Sequence, residues 1–192
     1  MPYKAVAIGS SAGGINALKT ILPQLPADFP AAVFIIQHIS PSSESYMAKF
    51  LDNISGIRVK EADEKEVIKP GVAYVAPPNY HLLIEEDFTL SLSVEEKVNY
   101  SRPSIDVTFE TAALAYGKQL VGIVLTGANS DGAQGLKTIK DRGGFTIVQN
   151  PDEAESAAMP SSAIKLVRPH KILKLREIAA FLKILFQDNS PL

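Results

Sequence analysis

The sequence contains no cysteine and no tryptophan, and it has no long apolar run. The absence of cysteine excludes disulfides, thiolate metal sites and cysteine nucleophiles, and it fits a reducing compartment. No apolar stretch approaches the ~20 residues that a membrane-spanning helix requires. The first residues, Met1-Pro-Tyr-Lys4, lead into an apolar strand pattern instead of a signal peptide. We therefore expect a cytoplasmic protein that does not insert into a membrane.

The sequence also has no large excess of either charge, because it contains 19 Lys and Arg residues and 21 Asp and Glu residues and its net charge is −2. A nucleic-acid-binding protein needs a basic field, so we expect no nucleic-acid partner. The chain has 192 residues, of which 46% are apolar. This length is enough for one domain that buries roughly 70% of its unfolded surface. We predict a single domain over residues 1–187 and a disordered tail over residues 188–192.

Residues 4–22 have the pattern of a strand, a tight turn and a helix. The turn contains the frame G-x-S-x-G, Gly9-Ser-Ser-Ala-Gly13, in which a serine is carried on a sharp strand-to-helix turn. That serine is Ser11, and Ser10 is the alternative nucleophile. Free N–H groups at the start of a helix favour an anion. On spacing alone, the turn therefore suits either a serine nucleophile with its oxyanion or a bound phosphate.

Four apolar runs, over residues 5–8, 31–37, 120–125 and 145–149, predict buried strands that are separated by helical patterns. Strands that are joined by helices pair in parallel. Between residues 57 and 94, short alternating pieces predict strands with a hairpin at one edge of the sheet. We predict an α/β fold: a doubly wound, mainly parallel sheet with helices on both faces and a β-hairpin extension.

Candidate capping residues mark two further helix starts. Ser42 or Ser43 is placed to cap a helix that continues to about Leu51. Ser104 is placed to cap a second helix, which Gly117 ends.

Three polar side chains follow three of the predicted strands: Ser11 the first, His38 the second and Asp131 the third. The carboxyl ends of parallel strands share one edge of a sheet, and open α/β sheets bind ligands there. A serine nucleophile needs a base and a buried carboxylate that orients the base, and these residues complete that set. Each residue also has an ordinary alternative. Ser11 and Asp131 could simply cap helices, and His38 could be a hydrogen-bonded loop residue.

Several separated motifs occur in one order along nearly the whole chain. They are Ile8-Gly-Ser-Ser-Ala-Gly-Gly14, Gln37-His38, Lys69-Pro-Gly71 with Tyr74-Val-Ala-Pro77, Arg102-Pro-Ser-Ile-Asp106, and Leu125-Thr-Gly127 with Ser130-Asp-Gly132. In this order they resemble the catalytic domain of the chemotaxis receptor methylesterases, the CheB family. The resemblance implies a mainly parallel α/β sheet and hydrolysis of glutamate methyl esters on chemoreceptors, often with deamidation of receptor glutamines.

The resemblance also implies site residues and partners. The family's nucleophile, histidine and aspartate correspond to Ser11, His38 and Asp131. The candidates for the oxyanion hole are the backbone N–H groups of Ala12, Gly13 and Ala128. Two side chains are candidates for contact with the substrate, Arg102 and His81. The implied substrate is the methylated cytoplasmic helices of a chemoreceptor, and no metal or organic cofactor is implied.

The sequence departs from the family pattern in two ways. The loop that commonly reads T-G-M-G-x-D-G contains Ala128-Asn129 in place of Met-Gly, which opens that wall of the site. Family members also commonly carry an N-terminal receiver domain. This sequence shows none, which implies a separate or fused receiver domain or a longer protein. Two alternatives stay open: a phosphate- or nucleotide-binding module, and a receptor-binding signalling module without ester turnover.

Overall fold

A computed structural model describes residues 3–39 and 46–187. Within these residues the strands are β1 (Ala5–Ser10), β2 (Ala32–Gln37), β3 (Arg58–Glu61), β4 (Val72–Val75), β5 (His81–Ile84), β6 (Leu90–Ser93), β7 (Leu120–Val124), β8 (Phe145–Gln149) and β9 (Lys171–Leu173). The α-helices are α1 (Gly14–Ile21), α2 (Tyr46–Ile54), α3 (Ile105–Tyr116), α4 (Ala133–Asp141), α5 (Ala158–Val167) and α6 (Leu175–Gln187). The predicted caps Ser42 and Ser43 and the predicted tail 188–192 lie outside the described residues. None of these helices has the length and apolar character needed to cross a membrane.

Seven of the strands form one sheet in the order β3-β4-β2-β1-β7-β8-β9. Every neighbouring pair in this sheet is parallel. Strands β5 and β6 form a separate antiparallel pair. The prediction of a mainly parallel sheet with a hairpin extension is confirmed.

Strand β1 shows why the central strands are continuously apolar, because all six of its residues are buried. Ala5 and Ala7 belong to the core between the sheet and helices α3, α4 and α5. Val6 and Ile8 point the other way, into the core formed with α1, α2 and α6. Alternating side chains therefore enter two cores, so a strand of a sheet covered on both faces carries no polar face. The predicted helices on both faces are confirmed.

The region between residues 57 and 94 differs in detail from the prediction. Only β5 and β6 form the hairpin, and they pack on the side of the sheet that carries α3. Strands β3 and β4 are parallel members of the main sheet, with β3 at its edge. An edge strand is half exposed, and β3 buries only one of its four residues fully.

Strand β1 has β2 on one side and β7 on the other. Helix α1 leads from β1 to β2 over one face, whereas α4, which leads from β7 to β8, covers the opposite face. Such a change of direction opens a crevice at the carboxyl ends of the strands, which is where open α/β sheets bind ligands. In this protein the crevice lies at the carboxyl ends of β1, β2 and β7.

Candidate active site

Ser11 and His38 directly follow the neighbouring parallel strands β1 and β2. The strands are in register so that Ser10 pairs with Gln37. The N–H of His38 donates to the carbonyl oxygen of Ser10 at 3.0 Å, and the Gln37 side-chain amide donates to the carbonyl oxygen of Ser11 at 2.9 Å. The structure therefore brings the backbones of Ser11 and His38 side by side, as the sequence predicted for residues at one sheet edge.

The turn after Ser11 needs glycine at two positions for different reasons. Gly13 has a φ of 78°, in the left-handed region that L side chains rarely adopt. Gly14 lies so close to the side chains of Gln37 and Ser10 that a Cβ atom there would overlap them. Gly13, the last residue of the G-x-S-x-G frame, is thus explained by its backbone conformation, and Gly14, which follows the frame, by the close packing of α1 on the strands.

Ser10 and Ser11 occupy different environments. Ser10 is fully buried, and its hydroxyl donates to Oε1 of Gln37 at 2.7 Å. Ser11 is partly exposed, and no hydrogen bond joins its hydroxyl to His38. Catalytic hydrogen bonds are often loose before substrate binds, so this geometry is compatible with a nucleophile. The burial of Ser10 supports Ser11 over its neighbour.

His38 and Asp131 form a direct pair. Nε2 of His38 lies 2.8 Å from Oδ2 of Asp131, whose side chain is fully buried. An ionised carboxylate can only accept, so Nε2 carries the proton and Nδ1 keeps its lone pair. Among the residues that the structure describes, the partners of Nδ1 are at the limit of hydrogen bonding, the Ser101 hydroxyl at 3.5 Å and the Asn129 amide nitrogen at 3.4 Å. Both are donors, so Nδ1 is the nitrogen whose lone pair can act as a base.

Asp131 caps a helix other than the one that follows it in sequence. Its Oδ2 accepts the N–H of Ile105 at 2.7 Å, and its Oδ1 accepts the N–H of Asp106 at 3.2 Å. These are the first two residues of α3. Ser104 stands at the N-cap position but makes no capping hydrogen bond, since its hydroxyl donates to Oδ1 of Asp131 at 3.0 Å. The prediction that Ser104 occupies the N-cap position of α3 is confirmed, but the acceptor at this end of the helix is the carboxylate of Asp131.

These contacts decide the charge of Asp131. Burial alone raises the pKa of this carboxyl. The hydrogen bonds that it accepts, led by the one from His38, outweigh burial and hold the pKa below its ordinary value. Asp131 is therefore ionised at neutral pH and able to stabilise a protonated His38.

Two further polar side chains complete this network and were not predicted. The amide nitrogen of Asn99 lies 3.1 Å from Oδ1 of Asp131 and 2.9 Å from Oδ2 of Asp106, so it donates one hydrogen to each carboxylate. Asp106 is buried and also accepts the N–H of Gly135 at 2.7 Å. Burial first, and then the neighbouring charge of Asp131, raise the pKa of Asp106 to about 6. No sequence signal separated Asn99 from other loop asparagines.

The predicted oxyanion hole can be judged from its donors. The N–H of Ser11 is occupied, because it donates to the carbonyl oxygen of Thr126 at 2.9 Å. Among the described residues, no acceptor pairs with the N–H groups of Ala12, Gly13 or Ala128. Unpaired N–H groups next to a nucleophile are what a developing oxyanion requires.

The family of the chain follows from a comparison with known proteins. The family model described as CheB methylesterase matches residues 6–182. The chain belongs to the CheB methylesterase family. The crystal structure of the Thermotoga maritima CheB methylesterase catalytic domain is similar, with a TM-score of 0.92 and 34% sequence identity. The similarity covers 96% of this chain and 100% of that one.

Some relatives are as long as this chain, and others are about twice as long. A Leptospira interrogans protein, provisionally named protein-glutamate methylesterase/protein-glutamine glutaminase, is 55% identical over 189 residues, which are 98% of each chain. The Archaeoglobus fulgidus protein-glutamate methylesterase/protein-glutamine glutaminase is 44% identical over 177 residues. A Myxococcus xanthus protein-glutamate methylesterase is 39% identical over 183 residues. The chain spans only about half the length of these last two relatives, 51% and 54%.

The two side chains that the CheB resemblance placed near the substrate are both occupied by structural contacts. Arg102 donates to the carbonyl oxygens of Val94 and Glu95 at 2.6 and 2.8 Å and to the side-chain oxygen of Asn79. His81 is buried, accepts the N–H of Ser104 at its Nδ1, and donates from Nε2 to the carbonyl oxygen of Glu96. These contacts favour a structural role for both residues, in holding the loops around the site.

The loop that departs from the CheB pattern keeps its connection to the site. Asn129 is not among the described residues with positive φ, so replacing the family's glycine causes no backbone strain here. Its side-chain oxygen accepts the N–H of Asp131 at 3.1 Å, and its amide group faces Nδ1 of His38. Ala128 is exposed. The altered loop therefore still shapes the surroundings of the histidine.

Proposed function

We propose that this chain hydrolyses the methyl esters of glutamate side chains on chemotaxis receptors, and that it also deamidates receptor glutamines. Family membership and the names of the relatives support this reaction. The observation that carries the proposal is the buried Asp131, paired with His38 at 2.8 Å beside Ser11. A phosphate-binding turn would use the N–H groups of the turn and would need no contact between His38 and Asp131.

The reaction begins at Ser11. Nδ1 of His38 accepts the hydroxyl proton while Oγ of Ser11 forms a bond to the ester carbonyl carbon. The negative charge that develops on the carbonyl oxygen is stabilised by the free N–H groups of Ala12, Gly13 and Ala128. Asp131 stabilises the positive charge that His38 acquires.

The second half of the reaction returns the enzyme to its starting state. His38 gives its proton to the departing methoxide, so methanol leaves and an acyl-enzyme remains. Water then attacks this intermediate, with His38 again accepting a proton, and releases a glutamate carboxylate and free Ser11. A glutamine substrate follows the same steps with ammonia in place of methanol.

We also propose the setting in which the enzyme acts. The implied substrate segment is the cytoplasmic helical part of a receptor, so we place the reaction in the cytoplasm. The catalytic unit is proposed to extend over residues 1–187, which is supported by the family match to residues 6–182. A receiver domain, separate or fused, is the proposed regulator.

Methanol release from a methyl-esterified receptor fragment tests the function. We expect release by the unaltered protein and its loss, by at least about a thousandfold, in Ser11→Ala. Ser10→Ala is the matched control, because its hydroxyl is buried against Gln37. Release that persisted in Ser11→Ala would refute the nucleophile. No release from the folded, unaltered protein, with receptor binding retained, would favour a signalling module without turnover.

A further inference from the structure

A tight hairpin turn over residues 98–101 contains a tyrosine, Tyr100, at a position with positive φ. Val98 and Ser101 pair in both directions, with N–H to carbonyl distances of 3.2 and 2.9 Å. The two central residues both have positive φ, 51° at Asn99 and 62° at Tyr100. Turns of this kind favour Asn followed by Gly, because a bulky side chain is strained in the left-handed region. Asn99 fits this preference and Tyr100 does not.

The base of this hairpin is tied to the reacting groups. Asn99 donates to both Asp131 and Asp106, and the Ser101 hydroxyl lies 3.5 Å from Nδ1 of His38. Asn99, which precedes Tyr100, is thus held by both carboxylates, and Ser101, which follows Tyr100, lies near the base. The hairpin therefore places Tyr100 close to His38.

The side chain of Tyr100 points into solvent, with 97% of its surface exposed. It borders a small cleft of about 90 Å³ that reaches the catalytic histidine. The cleft is lined by His38, Ile39, Lys97, Tyr100, Ser101, Arg102 and Pro103. An aromatic ring with this exposure buries almost no apolar surface, so it offers little to offset the backbone strain at Tyr100.

Phe88 provides a comparison within the same protein. It is also an aromatic residue in a hairpin turn, with a φ of 62°. Its ring packs on Tyr116, with 5.1 Å between the centroids, so packing offsets its strain. Tyr116 ends α3, about 16 Å from the end that Asp131 caps. Tyr100 has the same φ, but its ring packs on no other aromatic ring among the described residues. Backbone strain that packing does not explain points to function.

We propose that Tyr100 is a substrate-docking residue, whose ring packs on the receptor helix beside the esterified glutamate. The inference rests on the proposed function. Aromatic rings with few rotatable bonds bind partner proteins well because little conformational entropy is lost. Lys97, which lines the same cleft, adds a positive charge that suits a substrate carrying glutamate side chains. Tyr100 thus acts in substrate recognition, whereas Ser11, His38 and Asp131 carry out the proposed reaction.

Steady-state kinetics with a methylated receptor fragment test the proposal. We expect Tyr100→Ala to raise KM about tenfold with kcat unchanged, and Tyr100→Phe to stay within about twofold of the unaltered protein. Phe88→Ala is the matched control: it removes an aromatic ring from a turn of the same φ, and KM should not change. An unchanged KM in Tyr100→Ala, or an equal rise of KM in Phe88→Ala, would overturn the proposal.

Direct binding separates this proposal from the proposed reaction. The dissociation constant of the receptor fragment is measured with Ser11→Ala and with the double variant Ser11→Ala/Tyr100→Ala. We expect about tenfold weaker binding in the double variant. Equal dissociation constants would refute docking by Tyr100 even if the unaltered protein releases methanol. Weaker binding together with no methanol release would uphold docking and refute the esterase reaction.

Discussion

Replacing Asp131 should damage both the reaction and the fold, whereas replacing Ser11 should damage the reaction alone. Asp131 is fully buried and accepts hydrogen bonds from His38, from the first turn of α3 and from Asn99. Ser11 is partly exposed. A residue used only for catalysis and a residue used for catalysis and folding can therefore be distinguished by stability.

The magnitude follows from the contacts that an asparagine at position 131 would lose. The carboxylate of Asp131 accepts hydrogen bonds at both of its oxygens. An asparagine side chain has one acceptor oxygen and one donor nitrogen, so it can accept only the hydrogen bonds that now go to one of the two oxygens. The nitrogen would then face at least two donors, such as the N–H of Asp106 and the amide of Asn99. Each buried donor left unpaired costs about 1–3 kcal/mol. We expect Asp131→Asn to lose about 4 kcal/mol of unfolding free energy.

Urea unfolding followed by circular dichroism, at pH 7, measures this loss. With a slope of about 2 kcal/mol per molar urea, the midpoint should fall by about 2 M in Asp131→Asn. Ser11→Ala should stay within about 0.5 kcal/mol of the unaltered protein. Both variants should lose methanol release. An Asp131→Asn midpoint equal to that of the unaltered protein would refute the hydrogen-bond network, and a large loss in Ser11→Ala would refute its purely catalytic role.

Two further predictions concern the second carboxylate. The pKa of Asp106 is raised to about 6 in the folded protein, so the folded state binds its proton more tightly and this stabilisation disappears as pH rises through 6. Between pH 5 and pH 8 the loss should be about 1.4 kcal/mol, and Asp106→Asn should abolish this part of the pH dependence; urea midpoints that change equally in both proteins would contradict it. Asn99→Gly keeps the left-handed turn but removes a hydrogen bond that lowers the pKa of Asp106, so carboxyl titration by NMR should give a higher pKa. An unchanged pKa would show that Asn99 does not bridge the two carboxylates.

The sequence by itself determined the central sheet and the meeting of three strand ends. Continuous apolar runs mark strands that are buried on both faces, and helices between strands require parallel pairing. Parallel pairing then places Ser11, His38 and Asp131 at one edge, and the pair between His38 and Asp131 at 2.8 Å agrees with that expectation. These conclusions needed only the order and periodicity of residues.

Tertiary structure decided how the site is held together. Asp131 caps α3, which begins 26 residues earlier in the chain, because the loop after β7 and the start of α3 meet in space. Asn99 reaches two carboxylates from a turn that no apolar pattern marks. Hydrogen bonds between loops depend on side-chain direction over distances that periodicity does not encode. For that reason the sequence indicated the candidate reacting groups, and only the folded chain revealed the residues that orient and surround them.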